Sequence, residues 1–412
     1  MQKRILYWDG TDGGNMIDVL KNVGAPRNSK HYANIQRATK CEIRNTKEYT
    51  DPGVYYVKVY HGIGVWATDH WKNPVLLQEL PEHVITGMQQ DKITLVIDST
   101  TEGHSYKEYL NRFKIDVFKR IHEDCEKRNI PIHKIEIIYG DYFLHEGYTR
   151  WCESNNIGDK RLTIKWGIAW HNNTIWNKPT ELAIEQAIRN VDSKDFLSLN
   201  RMYRPHRVLH FYELIDKNLL DKGIVSGGFI QGTGVLPGAF SPDIKKLFPN
   251  IPDDYPDKIE KHFPIELDEC SKSRQLAEML ATHREYMQNS LLSFVTETQF
   301  YYDAWFPTEK IFKTFSFGHP FILLGSRGLV RCLKNLGFKV DLCGIDHTYD
   351  LIADPEKRAE MAHRELVKWC KLGREEKIIR IEKSMDDMRY NFELSHSLQL
   401  YEDTVLKRIF LP

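Results

Sequence analysis

The sequence predicts an α/β protein made of two Rossmann-like domains that face a cleft, followed by a helical tail. Apolar strand-like runs alternate with amphipathic helical stretches, which is typical of parallel sheets covered by helices. The chain has 412 residues, too many for one ordinary core. Loops rich in glycine or charged residues follow several predicted strands, where open parallel sheets bind their ligands.

The first domain, residues 1–190, is expected to bind an acceptor. Its clearest part is a βαβ unit, in which a buried strand leads through one long helix to a second strand and the crossover is right-handed. The predicted strands and helices are 3–8, 16–23, 92–100, 106–129, 134–142, 161–170 and 177–191, with Thr180 capping the last helix.

The second domain, residues 191–370, repeats the alternation. Its predicted strands and helices are 195–200, 207–223 (closed by Gly223), 272–290, 291–298, 308–317, 319–325, 329–336 and 354–373. The stretch 224–264 is rich in glycine and proline and is predicted to be a loop or irregular insertion. Residues 371–412 are predicted to form a helical tail that packs across both domains.

Composition excludes several classes of protein. Lys plus Arg and Asp plus Glu both number 57, so the formal net charge is zero, which argues against coating nucleic acid by bulk charge. The seven cysteines form no CxxC pair, which indicates reduced thiols and no zinc site. No run approaches 18 apolar residues, so we expect no membrane span and a cytoplasmic location, in a host cell if the protein is viral.

The stretch "FPTEKIFK" begins the predicted helix 308–317 with unusual charges. Thr308 suits an N-cap and Glu309 suits the positive end of the helix dipole. Lys310 opposes the dipole, and a diphosphate bound at the start of the helix would explain its position. The alternative is an ordinary surface pair between Glu309 and Lys313, worth about 0.3–0.5 kcal/mol.

A second basic segment, "NRMYRPHR", follows the strand 195–200. Asn200 ends this strand, Arg201 and Arg204 follow it, and Arg207 begins the next predicted helix. Arginines at a helix start again favour a bound anion. The alternative is a solvated basic loop.

Four residues of the first domain are candidates for a general base. Asp98 lies near the end of the predicted strand 92–100, Glu102 and His104 follow that strand, and Asp12 lies in the glycine loop "DGTDGGN". A carboxylate or imidazole there would take the proton of an acceptor hydroxyl. The alternatives are backbone capping by Asp98 and a surface position for His104.

The segment "SFVTETQFYYDAWFPTEKIFKTFSFGHPFILLGSRGLVRCLKNLGFKV" (293–340) resembles the donor half of GT-B glycosyltransferases. It is most similar to fucosyltransferase-like enzymes and to uncharacterised viral, including phage, and bacterial glycosyltransferase-like proteins. "FLSLNRMYRPHR" resembles the strand and basic loop that open this half. The stretch "IFKTFSFGHP" departs from the fucosyltransferase pattern, so neither fucose nor GDP is inferred.

The resemblance implies a Leloir-type, metal-independent transfer of a sugar from a nucleotide diphosphate, with no cofactor. Glu309 would bind the ribose, and Lys310, Lys313 and Arg204 or Arg207 would hold the diphosphate. No DxD-type metal pair stands out in the sequence. The lysines and arginine would then stabilise the leaving diphosphate in place of a metal.

The sequence does not identify the acceptor. A hydroxymethylated base in phage DNA is one candidate, and a glycan or lipid-linked sugar is another. Glu102 is the first choice of base for an inverting reaction, whereas a retaining reaction would need no such base. A non-catalytic nucleotide- or nucleic-acid-binding protein remains an alternative, and a phosphatase or nucleotidase would need a cluster of metal-binding carboxylates.

Overall fold

A computed structural model describes most of the chain. The described residues are 5–8, 42–45, 48–58, 76–78, 80–100, 103–168, 179–200, 204–227, 242–262, 265, 267 and 283–397. They form two compact units, one within 1–172 plus Tyr302–Phe306, and one within 173–301 plus 307–397. The boundary lies at 172, whereas the sequence analysis placed it at 190.

Within the described residues, the first unit contains a six-stranded parallel sheet of order β2-β1-β3-β4-β5-β6. All its neighbouring strands are parallel. The strands are β1 (Ile5–Trp8), β2 (Glu42–Asn45), β3 (Gly53–Lys58), β4 (Ile93–Ser99), β5 (Ile135–Tyr139) and β6 (Thr163–Trp166). All five residues of β5 are buried, as expected for a strand covered on both faces.

Three helices belong to the described part of this unit: α1 (Glu82–Gln89), α2 (Val117–Lys127) and α3 (Leu144–Ser154). The single helix predicted at 106–129 is wrong. A short turn, Tyr106–Glu108, continues as a π-helical turn and ends where Lys114 adopts a φ of 58°. Asp116 is the N-cap of α2, because its side chain accepts the Lys119 N–H at 3.1 Å. The predicted helix is therefore interrupted between the left-handed Lys114 and the capping residue Asp116.

Within its described residues, the second unit contains a four-stranded parallel sheet of order β10-β9-β7-β8. Its strands are β7 (Phe196–Asn200), β8 (Gly223–Gly227), β9 (Ser293–Thr296) and β10 (Phe321–Leu324). All pairings are parallel. The predicted fold class, α/β with two Rossmann-like units, is confirmed.

The described helices of this unit are α4 (Ala183–Arg189), α5 (Pro205–Asp216), α6 (Pro242–Leu247), α7 (Tyr255–Glu260), α8 (Glu309–Ser316), α9 (Leu329–Asn335), α10 (Pro355–Lys371), α11 (Arg374–Lys383) and α12 (Met385–Ser395). Residues 283–288 are also helical. The capping role predicted for Thr180 is wrong, because Leu182 is the N-cap of α4.

The predicted helix 207–223 is wrong, because α5 ends at Asp216. Gly223 follows a separate 3₁₀ turn, Leu220–Lys222, as its C-cap, and begins β8. A Cβ at this position would lie 2.4 Å from the ring of Phe196 on the neighbouring strand. Glycine is therefore required by close packing between strands. The stretch predicted as irregular, 224–264, also contains the rest of β8 and the helices α6 and α7.

The described part of the predicted tail is helical and packs within the second unit. Arg374 donates to the carbonyls of Ile188 at 3.0 Å and Asn190 at 2.7 Å, at the C-terminal end of α4. Lys377 forms an ion pair with Asp195 at 2.5 Å. Cations at the end of α4 complement its dipole. Residues 398–412 lie outside the described residues.

A short peptide, Tyr302–Phe306, leaves the second unit and belongs to the first. Trp305 donates its N–H to Asp141 at 3.1 Å, and Trp305 O accepts the Tyr142 N–H at 3.4 Å. Phe306 packs so closely on Gly103 that a Cβ there would lie 2.0 Å from its ring. These contacts anchor the peptide next to the residues that follow β4 and β5.

Among the helices of the described residues, none has the length and apolar character needed to cross a bilayer.

Candidate functional site

The start of α8 is held by a buried carboxylate. Thr308 is the N-cap, as predicted, and its side chain accepts the Lys310 N–H at 3.4 Å. Glu297, fully buried after β9, accepts from the Thr308 N–H at 3.0 Å and the Thr308 hydroxyl at 2.5 Å. Glu297 thus supplies a negative charge at the positive end of the helix.

Lys310 is tied into the same network. Its ammonium donates to Glu309 at 2.9 Å and to the hydroxyls of Thr298 and Thr308, both at 3.1 Å. Lys310 and Glu309 are 24% and 22% exposed. Burial raises the pKa of Glu309, but Lys310 and Lys313 outweigh it and lower that pKa to about 2. Glu309 is therefore ionised at any ordinary pH.

Lys313 lies deeper, on the buried side of α8. It is 5% exposed, and its ammonium donates to Nδ1 of His283 at 3.0 Å. Burial lowers the pKa of Lys313 to about 8, with Lys310 adding to the effect and Glu309 opposing it. Burial and the charge of Lys313 lower the pKa of His283 to about 3, so His283 is neutral.

Lys310, Lys313 and His283 all line one open pocket. The pocket lies over β7 and β9 and beneath α8. Its floor includes the apolar side chains of Leu197 and Leu199. It therefore combines an apolar surface with two ammonium groups, a combination suited to an organic anion.

Of the predicted basic segment 200–207, the structure describes residues 200 and 204–207, and two of the predicted ligands there are buried. Arg207 is 3% exposed and donates to the carbonyl of Thr296 at 3.2 Å. Asn200 is also buried, where it donates to Ser198 at 3.1 Å and accepts from the Thr296 hydroxyl. Arg204 is the N-cap of α5.

Burial, reinforced by Arg204, lowers the pKa of Arg207 to about 10. Arg207 and Asn200 thus join α5 and β7 to the end of β9. Arg201 lies outside the described residues. The donor-binding role of these four residues stays a prediction.

In the first unit, Asp98 is fully buried at the end of β4. It accepts from the Tyr56 hydroxyl at 2.5 Å, and from the N–H and hydroxyl of Thr100 at 3.1 and 2.6 Å. These hydrogen bonds fix the backbone at the end of β4. They agree with the alternative given for Asp98 in the sequence analysis, which is backbone capping and not catalysis. Asp12 and Glu102 lie outside the described residues, so their predicted role as base is not described.

His104 is held by a carboxylate. Its Nδ1 lies 2.9 Å from Oε2 of Glu108, while Oε1 of Glu108 accepts from Arg112 at 2.8 Å. Burial raises the pKa of Glu108, but His104 and Arg112 outweigh it and lower that pKa. An ionised Glu108 favours the tautomer of His104 with its proton on Nδ1, which leaves Nε2 as the basic nitrogen.

Asp141, two residues after β5, is a buried carboxyl that sequence reasoning missed. It is 2% exposed, and Oδ1 accepts from the N–H groups of Phe143 and Trp305 at 3.2 and 3.1 Å. Within the described residues Oδ2 has no hydrogen-bond partner. Burial raises the pKa of Asp141 to about 7, although the two N–H groups oppose the shift.

We expect Asp141→Asn to flatten the pH dependence of stability between about pH 4 and 7. The pKa of Asp141 is higher in the folded than in the unfolded protein. Its stabilising contribution is therefore complete below the unfolded pKa and lost as pH rises through about 7. Each pKa unit corresponds to about 1.4 kcal/mol.

Urea unfolding at pH 5 and pH 8 measures the difference, with exposed Asp159→Asn as control. If the stability of Asp141→Asn depends on pH in the same way as that of the wild type, the prediction is wrong.

Four functional candidates were not predicted: Glu297, His283, Glu108 and Asp141. Glu108 had a local signal, because it stands four residues after His104, as an i,i+4 partner does on a helix. Asp141 follows a strand end, as the predicted base candidates do. Glu297 and His283 meet α8 only through the tertiary fold, so local patterns do not reveal them.

The described residues contain no group of three or more His, Cys, Asp or Glu side chains placed to hold a metal ion. Among the described residues, the charged side chains that line the pocket are Lys310 and Lys313.

No protein-family model matches the sequence, and no curated protein matches it. Among solved structures, an alpha,alpha-trehalose-phosphate synthase (UDP-forming) from Burkholderia vietnamiensis is 12% identical, with a TM-score of 0.42 over 93% of this chain and 77% of that chain. A trehalose-6-phosphate synthase, OtsA, is 10% identical, with a TM-score of 0.43 over 98% and 99%. The likeness to both is distant, so the functional proposal rests on the residues of the site.

Proposed function

We propose that the protein is a Leloir-type glycosyltransferase that moves a sugar from a nucleotide diphosphate to a hydroxyl acceptor. One observation carries this proposal. Lys310 and Lys313, with the ionised Glu309 beside them, line one pocket in a Rossmann-like unit. Departure of a nucleoside diphosphate concentrates negative charge, and preorganised ammonium groups stabilise that charge.

The ribose and the diphosphate of a nucleotide donor suit different residues among Glu309, Lys310 and Lys313. Glu309 is ionised and partly exposed, so its carboxylate can accept hydrogen bonds from a ribose diol. Lys313 is a buried cation within the pocket, where an ammonium group acts strongly on phosphate. Lys310 lies between them in sequence and contacts Glu309. Arg204, at the start of α5, is proposed as a further phosphate ligand.

His104 is the base that the described residues support best. Glu108 orients its ring through Nδ1, and the imidazole would take the proton of the acceptor hydroxyl. When His104 becomes protonated, the carboxylate of Glu108 stabilises the imidazolium. Asp98 is fully buried and bonded to Tyr56 and Thr100, which makes it less suitable. This mechanism corresponds to an inverting transfer.

The experiment is a transfer assay with the full chain and a panel of UDP- and GDP-sugars. Acceptors are DNA containing hydroxymethylated bases, glycans and lipid-linked sugars, so that the assay itself identifies the acceptor class. Release of the nucleoside diphosphate, with transfer of the sugar, supports the proposal. Binding of nucleotide sugars with no turnover would instead favour a non-catalytic nucleotide-binding protein.

The double variant Glu309→Ala, Lys310→Ala is expected to lose about 10²-fold or more in kcat/KM. It removes the proposed ribose acceptor and one ammonium near the diphosphate, and one electrostatic contact in a transition state is worth about that much. The exposed Lys334→Ala is the matched control, since Lys334 pairs with Asp341 on the surface. Wild-type activity in the double variant would overturn the site assignment.

A further inference from the structure

The peptide Tyr302–Phe306, which we call the strap, packs on the segment that carries His104. The ring of Phe306, at one end, lies so close to Gly103 that a Cβ there would be 2.0 Å from the ring. Burial raises the pKa of the tyrosine hydroxyl at the other end, and the charge of Glu108 adds to the effect, so this hydroxyl lies near that carboxylate. Both ends of the strap therefore lie beside the segment that carries the proposed base.

Asp141 holds the strap by a hydrogen bond to its backbone. Oδ1 of Asp141 accepts the Trp305 N–H at 3.1 Å, and the Trp305 carbonyl accepts the Tyr142 N–H at 3.4 Å. The rings of Trp305 and Tyr142 pack with their centroids 5.0 Å apart. Because Trp305 is followed directly by Phe306, these contacts also fix the ring that lies against Gly103.

We propose that the docked strap fixes the backbone at Gly103, and thereby the position of His104, and that the proton of Asp141 controls docking. Asp141 is 2% exposed, so it acts as a positioning residue through the strap and not on the substrate. The inference rests on the proposed function in one respect, that His104 is the base. Docking itself is a property of the first unit and is measured without substrate.

Docking is linked to a proton because the strap covers Asp141. In the docked state burial raises the pKa of Asp141 to about 7; Glu146 of α3 and Asp303 of the strap add to the effect, and the N–H groups of Phe143 and Trp305 oppose it. When the strap leaves, water reaches the carboxyl and its pKa returns to about 4. The docked state therefore binds the proton more tightly. Docking weakens about tenfold per pH unit between about pH 4 and 7 and is constant above pH 7.

The test is hydrogen exchange of the full chain at pH 5, 6, 7 and 8, followed by mass spectrometry and corrected for the intrinsic effect of pH. The Trp305 and Tyr142 amides report docking. The amides of β5, which exchange when the whole unit unfolds, are the internal reference. In the wild type we expect protection of the two reporters to fall about tenfold per unit from pH 5 to 7 and then to stay constant. Asp141→Asn keeps the acceptor oxygen, so its protection should not change with pH, whereas exposed Asp159→Asn should behave like the wild type.

A steric pair of variants tests the contact between the strap and the His104 segment while Asp141 stays intact. Gly103→Ala places a methyl group where the Phe306 ring lies, so it should lower protection of the Trp305 amide at least about tenfold at every pH. Phe306→Ala removes that ring. Adding Gly103→Ala to Phe306→Ala should therefore change protection by less than about twofold.

Three results of the exchange experiment would overturn docking as proposed. One is the same pH dependence in Asp141→Asn as in the wild type. Another is an equal fall in protection of β5, which would mean that the strap opens only when the unit unfolds. The third is a full effect of Gly103→Ala without the Phe306 ring.

The transfer assay then tests whether the strap positions His104. Gly103→Ala and Asp141→Ala should lower kcat at least about tenfold with the KM of the donor unchanged, and Asp141→Asn should keep kcat within about threefold of the wild type. Wild-type kcat in Gly103→Ala with an undocked strap would overturn the positioning of His104. If exchange behaves as expected but the wild type transfers no sugar, docking of the strap stands and the proposed function fails.

Discussion

A His104→Ala variant is expected to lower kcat for sugar transfer by about 10²- to 10⁴-fold, the usual contribution of a positioned general base. The loss should appear mainly in kcat, because the proposed base acts on the proton that leaves the acceptor during the reaction. Initial rates over a range of acceptor concentrations check this, because they separate kcat from KM.

Glu108→Gln is the matched variant for the positioning role. Glutamine keeps the shape and one carbonyl oxygen but loses the charge that stabilises protonated His104, so we expect a smaller loss, of about 10-fold or more. Its KM should remain close to that of the wild type. Wild-type kcat in His104→Ala would mean that the base lies elsewhere or that the reaction is retaining.

A Glu297→Ala variant is expected to lower the free energy of unfolding by about 2–4 kcal/mol. Its carboxylate accepts from the N–H and hydroxyl of Thr308 and from the Thr298 N–H at 3.1 Å. Removing it leaves buried donors unpaired, at about 1–3 kcal/mol each, and removes the negative charge at the start of α8. Urea unfolding followed by circular dichroism measures the loss.

Glu297→Gln serves as the control for this prediction. The amide retains one acceptor oxygen and the buried volume, so its loss of stability should be smaller than that of Glu297→Ala. If Glu297→Ala unfolds within about 0.5 kcal/mol of the wild type, the size of an ordinary surface substitution, Glu297 does not hold the start of α8.

Strands of the fold were well predicted wherever they are buried on both faces. Such strands are continuous apolar runs, as in β4, β5 and β10, and their signal does not depend on neighbours in space. The wrong predictions of helices occurred where the conformation of one residue, or its packing against a neighbouring strand, outweighed the helical preference of the local sequence. Lys114, in a left-handed conformation, interrupts an apparently continuous helix, and Gly223 is required by the ring of Phe196.

Fewer features of the site than of the fold were predicted from the sequence. The reason is that charged groups of the site find their partners in distant parts of the chain. Thr308 was recognised as a cap from its position alone. The unfavourable charge of Lys310 was also recognised, and a ligand anion was inferred from it. The structure places the carboxylate of Glu297 there, eleven residues before Thr308 and at the end of a strand. No helical or strand periodicity connects these positions.

The peptide Tyr302–Phe306 limits how the two units can be separated by protein engineering. A gene fragment ending near residue 172 would encode the first unit without this peptide, which covers Gly103 and supplies the Trp305 N–H to Asp141. Such a fragment would need the peptide fused through a linker or added as a synthetic segment. A chimera that exchanges the first unit must likewise take residues 302–306 from the same parent as residues 1–172.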